Sequence, residues 1–156
     1  SVMEVLMCAL DLEKTPASFI SYVENMARKL NAAVWLVHVA QPHPDVINLP
    51  LERAKDWRNL AAKEGGLLPR HQVLFQYAEQ MQALGIEATP VLVQGPAVEC
   101  LLEVARNVGA TMILVNSHGH GPLYDMLVGS VAEGVTGGNV CPVLWVPDGW
   151  LKAERI

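Results

Sequence analysis

The sequence predicts an α/β fold in which helices cover both faces of a parallel β-sheet. Five short apolar runs alternate with segments whose apolar residues recur at helical spacing. The runs are almost wholly apolar, as expected of strands that are buried on both faces. With 156 residues and no internal repeat, the chain is expected to form a single domain over residues 1–156.

The five predicted strands are rich in aliphatic and β-branched residues. They cover residues 4–10, 33–39, 87–93, 111–115 and 142–146. The third contains Pro90, which predicts a strand start or an edge position, because proline cannot donate to a β-ladder.

Apolar stripes at helical spacing predict the helices between these strands. The first helix follows Thr15 and Pro16, interpreted as a hydroxyl N-cap and a proline at the first helical position. Gly85 and Gly109 are expected to end two later helices. Two further helices are predicted within residues 51–63 and from Ser130 onward. The predicted stripes contain Phe19, Val23, Met26, Ala27 and Leu30, then Leu74, Tyr77, Ala78, Met81 and Leu84, then Val98, Leu101, Leu102, Ala105 and Val108.

Composition excludes several classes of partner. The net charge is −5 and no block of Lys or Arg occurs, so nucleic acid is not expected as a partner. The apolar start is interrupted by Glu4 and is too short to span a bilayer, so no membrane segment is predicted. Three widely spaced cysteines are typical of reduced thiols packed as small hydrophobic residues, which favours a cytoplasmic location.

The stretch "VNSHGHGPLYDMLVGS", residues 115–130, is the main candidate for chemistry. It leaves the fourth strand, passes Gly119, and enters a helix at Gly129 and Ser130. Glycines and a helix N-terminus present free N–H groups to an anion, which indicates a phosphate cradle at the carboxyl end of the sheet. When the loop is considered alone, it is explained equally well by glycines that serve only to form turns.

Other kinds of site fit the loop less well. His118 and His120 supply two metal ligands, whereas a structural zinc site needs four, so no metal site is predicted. The P-loop, the nucleophile elbow and the dinucleotide fingerprint are all absent. Since no candidate general base has a supporting partner, no catalytic residue is predicted.

Over nearly its whole length the chain resembles the universal stress protein family. That family carries the pattern G-x2-G-x9-G-[ST] after its fourth strand. The spacing is matched here by Asn116, Gly119 and Gly129-Ser130, with asparagine in place of the first glycine. The segments "QGPAVECLLEVARNVGATMILVNSHG" and "GSVAEGVTGGNVCPVLWV", together with Asp11 and "LVHV", also resemble the family. A departure is Leu12-Glu13-Lys14, where the family usually has small residues.

The resemblance implies a Rossmann-like three-layer sandwich with a five-stranded parallel sheet. It also implies binding of ATP or AMP, with or without Mg²⁺, a role in stress response or signalling, and at most a slow ATPase activity. Asp11 would lie beside the nucleoside, and the backbone of Val39 would face adenine. Asn116 and Gly119 would flank ribose and phosphate. The phosphates would be held by Gly129, Ser130 and Val131.

Simpler structural explanations remain for single residues. Asp11 is explained equally by capping of a turn, Val39 by packing, and Ser130 by a helix N-cap. Asn116 would preserve a positive φ, if the family glycine serves that need, but it would crowd the ligand if the glycine provides space. Together these residues favour a pocket. The alternative is a nucleotide-independent interaction module on the same scaffold.

The last strand predicts a homodimer. It carries no lysine and has Pro142 only at its start, so an exposed edge there would favour aggregation. Pairing with the same strand of a second chain removes that edge, and Trp145 would add buried area. The alternative is that the tail "DGWLKAERI" covers the edge within one chain.

Overall fold

The computed structural model of the chain describes residues 3–12, 15–40, 69–117 and 141–152. They form a parallel five-stranded sheet with the order β3-β2-β1-β4-β5. The strands are β1 (Val5–Ala9), β2 (Ala33–Ala40), β3 (Ala88–Gln94), β4 (Met112–Ser117) and β5 (Val143–Pro147). The helices in these ranges are α1 (Ala17–Leu30), α2 (Pro69–Ala83), α3 (Ala97–Val108) and α4 (Asp148–Lys152). The predicted three-layer α/β fold is confirmed. The helices predicted in residues 51–63 and from Ser130 lie outside the described residues.

Successive side chains of a strand point to opposite faces of the sheet, so each face has its own apolar core. On one face Leu6, Cys8 and Leu36 pack with buried residues of α1 and α2. On the other face Met7 and Val37 pack with buried residues of α3. The central strands are therefore apolar on both sides, as their sequences predict.

Short helix-to-strand connections close the amino end of the sheet. The residues after α1, α2 and α3 include Asn31, Gly85 and Gly109, whose φ angles are 52°, 82° and 67°. Each left-handed residue is followed by a backbone N–H that donates into the last turn of the preceding helix, as in a Schellman motif. Gly85 and Gly109 thus end their helices as predicted. Leu30 and Leu84 are exposed, contrary to the predicted stripes, because the chain turns towards the next strand at those positions.

The start of α1 differs from the prediction. Pro16, with φ −79° and ψ 152°, occupies the N-cap position, and no side chain caps the helix. The hydroxyl of Thr15 donates instead to the main-chain oxygen of Asp11 at 2.7 Å. Thr15 therefore closes the turn that leaves β1, and the N-cap prediction for it is wrong.

A side-chain clasp joins β1 to the start of β4 at the amino end. The hydroxyl of Thr111 accepts from the N–H of Val5 at 2.9 Å and donates to the carboxylate of Glu4 at 2.6 Å. The N–H of Thr111 also donates to the main-chain oxygen of Val5 at 2.8 Å. The two strands are thus aligned before their ladder begins.

The two edge strands differ. β3 carries Pro90, which pairs with Leu36 of β2, so the prediction of an edge position for this proline is confirmed. β5 forms the opposite edge, with Val143 41% exposed and Trp145 44% exposed. Residues 148–152 continue into α4, whose Trp150 ring contacts Tyr22 of α1 edge-on at a centroid distance of 5.4 Å. α4 thus reaches the α1 side of the sheet.

Within the described ranges, no helix has both the length and the apolar character needed to cross a membrane.

Candidate functional site

The strand order places a topological switch point between β1 and β4. From β1 the chain continues to β2 and β3 on one side, and it then crosses to β4 and β5 on the other. Connections therefore leave the carboxyl ends of β1 and β4 in opposite directions, which opens a crevice between them. In open α/β sheets such a crevice is where ligands bind.

Three predicted site residues meet at this crevice. Ala9 pairs with Val37 of β2 and with Val115 of β4. Counting along the strands from this rung, Asn116 lies one residue beyond it, and Asp11 and Val39 lie two residues beyond it. Residues far apart in the chain are thus brought to one edge of three adjacent strands.

The main chain of Val39 faces the side of the sheet on which β1 lies. Ala33 donates to Glu4 of the β1 side at 2.9 Å, whereas Val34 donates to Glu87 of the β3 side at 2.8 Å. In a parallel ladder the N–H and C=O of one residue point to the same neighbour, and successive residues alternate. Val39 therefore directs its N–H and C=O towards the region just beyond the end of β1.

Asp11 is held where the chain leaves β1. The ladder between β1 and β2 ends at Ala9, and Leu10 adds one more bond, from its N–H to the main-chain oxygen of Val37 at 2.9 Å. The turn that follows is fixed by the bond from Thr15 to the main-chain oxygen of Asp11. This bond does not use the Asp11 carboxylate, and the side chain is half-buried.

Asn116 belongs to strand β4, where it pairs with Val146 of β5. Among the described residues other than glycine, positive φ occurs at Asn31 and not at Asn116. A positive φ is therefore not the reason for asparagine at position 116. Its side-chain Nδ2 donates to the main-chain oxygen of Val146 at 3.2 Å. The amide therefore fastens β4 to β5 beside the crevice.

The remaining predicted site residues lie outside the described residues. These are Gly119, Gly129, Ser130 and Val131, together with His118 and His120. Among the residues that the structure does describe, no three His, Cys, Asp or Glu side chains are grouped so that they could hold a metal ion.

A pair of imidazoles beside the crevice was not predicted from the sequence. Nδ1 of His38 lies 2.8 Å from the main-chain oxygen of Leu10. The ring of His71, from the first turn of α2, lies against it at a centroid distance of 5.3 Å and is 2% exposed. The one available signal was a polar residue in the apolar run "LVHV", which does not reveal its partners.

The three cysteines are free thiols. Burial raises the pKa of Cys8 far above the ordinary value of 9.0. The pKa of Cys100 is raised by partial burial and then by the carboxylates of Glu103 and Glu99, and that of Cys141 by burial. Raised values keep the thiols protonated at neutral pH, so they lack the thiolate character of a nucleophile.

A model of the universal stress protein family matches residues 3–147. The chain belongs to the universal stress protein family. The resemblance seen in the glycine pattern therefore extends over both halves of the sheet.

Individual family members are similar along most of their length. Universal stress protein YxiE from Bacillus subtilis is 24% identical over 148 residues, which cover 90% of this chain and 97% of YxiE. A family structure from Burkholderia pseudomallei has a TM-score of 0.57 and 24% identity, covering 92% of this chain and 96% of its own. A family structure from Arabidopsis thaliana with AMP bound has a TM-score of 0.55 and 16% identity, covering 92% of this chain and 91% of its own. At these identities the structures show a shared fold.

Proposed function

We propose that the chain binds an adenine nucleotide, AMP or ATP, in the crevice between β1 and β4, and that it acts in stress response or signalling as a single domain. The observation that carries the proposal is the meeting of Asp11, Val39 and Asn116 at the switch point of the sheet. The AMP held by the Arabidopsis family structure supports it.

Each residue has a role that its position supports. The N–H and C=O of Val39 face the end of β1, where they match the acceptor and donor on the edge of adenine. The carboxylate of Asp11 is an acceptor suited to ribose hydroxyls. Asn116 forms the wall towards β5, where its amide is engaged with Val146.

The phosphates are assigned to the glycine loop. Gly119, Gly129, Ser130 and Val131 supply backbone N–H groups near a predicted helix N-terminus, which suits an anion. ATP would add Mg²⁺ at its phosphates. No residue is proposed as a catalytic base, so any hydrolysis is expected to be slow.

Titration calorimetry with AMP, ADP and ATP, with and without Mg²⁺, tests the proposal. Asp11→Ala is expected to weaken AMP binding by about tenfold, the equivalent of about 1.4 kcal/mol, through loss of hydrogen bonds to a charged group. Glu87→Ala is the matched control, because it removes the same charge at an exposed position at the amino end. Absence of heat with all three nucleotides would favour the interaction-module alternative, and equal affinity in Asp11→Ala would move the pocket elsewhere.

We further propose that two copies pair through β5. This strand is a sheet edge with exposed Val143 and Trp145, and α4 contacts α1. Among the described residues no strand pairs with the outer side of β5, and such an edge is a template for another strand. Light scattering of the parent is expected to give a dimer at micromolar concentration and Trp145→Asp a monomer, with Trp150→Asp as the control. A monomeric parent would reject the pairing.

A further inference from the structure

We infer that His38 is a positioning residue for the base, because its imidazole donates to the main-chain oxygen that a regular ladder would offer to the N–H of Val39. The inference rests on the proposed nucleotide function for its consequence. The geometry on which it stands is independent of any ligand.

The hydrogen-bond pattern between β1 and β2 changes at the end of β1. The N–H of Leu10 donates to Val37 at 2.9 Å, which makes Leu10 the next rung of the ladder. In a regular parallel ladder the C=O of that same residue would accept from Val39. Nδ1 of His38 instead lies 2.8 Å from the Leu10 oxygen.

The partner of Nδ1 fixes the tautomer of His38. A carbonyl oxygen only accepts hydrogen bonds, so Nδ1 of His38 must carry the hydrogen. Both the neutral Nδ1–H form and the imidazolium satisfy this requirement. The donor is therefore retained whether or not the ring is protonated.

Neighbouring side chains pack around the His38 ring. The neighbours of His38 along its face of β2, Leu36 and Ala40, are buried in the core formed with α1 and α2. His71 of α2 lies against the ring with an interplanar angle of 48°. Packing of this kind restricts the imidazole to a single orientation, with Nδ1 directed at β1.

The consequence lies at Val39. The ladder between β1 and β2 ends at Leu10, whose main-chain oxygen accepts from the imidazole. No hydrogen bond joins the N–H of Val39 to that oxygen within the described residues, so the N–H and C=O of Val39 are offered to a ligand. Adenine offers an acceptor at N1 and a donor at N6, which complement an N–H and a C=O. Guanine presents the opposite pair, so the imidazole indirectly favours adenine over guanine.

Two variants separate positioning from general stability. His38→Asn retains a donor near the place of Nδ1, whereas His38→Leu removes the donor and puts an apolar side chain of similar size in its place. We expect His38→Leu to bind AMP about tenfold more weakly, a change of about 1.4 kcal/mol, and to lose most of its AMP-over-GMP preference. His38→Asn should retain both. The control Thr111→Val, which removes a side-chain bond to β1 at the opposite end, should leave the preference unchanged.

Two measurements without nucleotide make the inference independent of the proposed function. Nitrogen-15 shifts should show a protonated Nδ1 in His38 of the parent chain. Amide hydrogen exchange of Val39 should be faster than that of Val37 in the parent, and slower in His38→Leu, where the Leu10 oxygen becomes open to Val39.

Failure of the proposed nucleotide binding and failure of the inferred role of His38 give different results. If the parent binds no adenine nucleotide, the proposed function fails, and the shifts and exchange rates alone decide the geometry. A Val39 amide that is already as protected as that of Val37, or an AMP-over-GMP preference unchanged in His38→Leu, would overturn the inference.

Discussion

At the amino end of the sheet each described helix-to-strand connection has two to four residues, whereas at the carboxyl end the connection that leaves β3 has two residues and those that leave β1 and β2 have more. Two residues separate α1 from β2, and three separate α3 from β4, with a left-handed residue in each link. By contrast, residues 10–16 lie between β1 and α1, and residues 41–68 lie between β2 and α2. The candidate site lies beside the longer connection that leaves β1.

Side chains also act differently at the two ends. At the amino end, Thr111 ties β4 to Glu4 and Val5 before the ladder starts. At the carboxyl end, His38 and Asn116 bind main-chain oxygens of neighbouring strands after the regular pairing of β1 has stopped. Amino-end side chains thus align strands, whereas at the carboxyl end the side chains of His38 and Asn116 donate to main-chain oxygens beside the proposed ligand site.

The largest expected effect is a loss of stability caused by a substitution at the carboxyl end of the sheet. Gly95 follows β3 with φ 146°, and a Cβ there would lie 2.9 Å from Sγ of Cys100. Gly95→Ala should lower the free energy of unfolding by about 3 kcal/mol, from backbone strain and overpacking. Urea denaturation measures it. Adding Cys100→Ala to Gly95→Ala should recover only the part of the lost stability that comes from the contact with Sγ. A loss below about 1 kcal/mol in Gly95→Ala itself would contradict the prediction and show that the backbone relaxes freely.

An intermediate effect is expected from the amino-end clasp. Thr111→Val keeps the shape of the side chain and leaves Val5 and Glu4 without the hydroxyl, which should cost about 2 kcal/mol of stability. AMP affinity should be unchanged, because the crevice lies at the other end of β1. Chemical denaturation and calorimetry measure the two quantities.

Thr111→Ser retains the hydroxyl and serves as the control, with stability near that of the parent. A weaker AMP affinity in Thr111→Val would contradict the proposal that the amino end aligns the strands while the carboxyl end binds the ligand.

The smallest effect is expected at Asn116. Asn116→Gly removes the amide bond to Val146 and should cost about 1 kcal/mol of stability. The added space at the crevice should leave AMP affinity equal or raise it by up to about tenfold. Asn116→Ala also removes the amide but does not add the backbone flexibility of glycine, so it separates these two contributions to the change in stability. Complete loss of binding in Asn116→Gly would make the asparagine a required ligand contact.

Sequence patterns predicted the amino end better than the carboxyl end, for a physical reason. The ends of α2 and α3 depend on single glycines that adopt positive φ, and such signals are local. The contacts of Thr15, His38 and Asn116 depend on which carbonyls the fold brings near them. The family resemblance suggested the proposed site residues, but it gave no sign of the hydrogen bond from the Asn116 amide to Val146, which depends on the register of β4 and β5.

Pro90 limits the addition of another chain at the β3 edge of the sheet. The N–H of Val34 donates to Glu87, so the backbone groups of the odd-numbered residues of β3 point to β2. The backbone nitrogen of Pro90, a buried residue, therefore lies on the outer edge of the sheet. The outer row of β3 therefore lacks a donor in its middle, where an added strand would require one. Two copies joined through β5 would form one continuous ten-stranded sheet with a proline-interrupted strand at each margin. Growth would end at two subunits, so a closed pair would form and a filament would not.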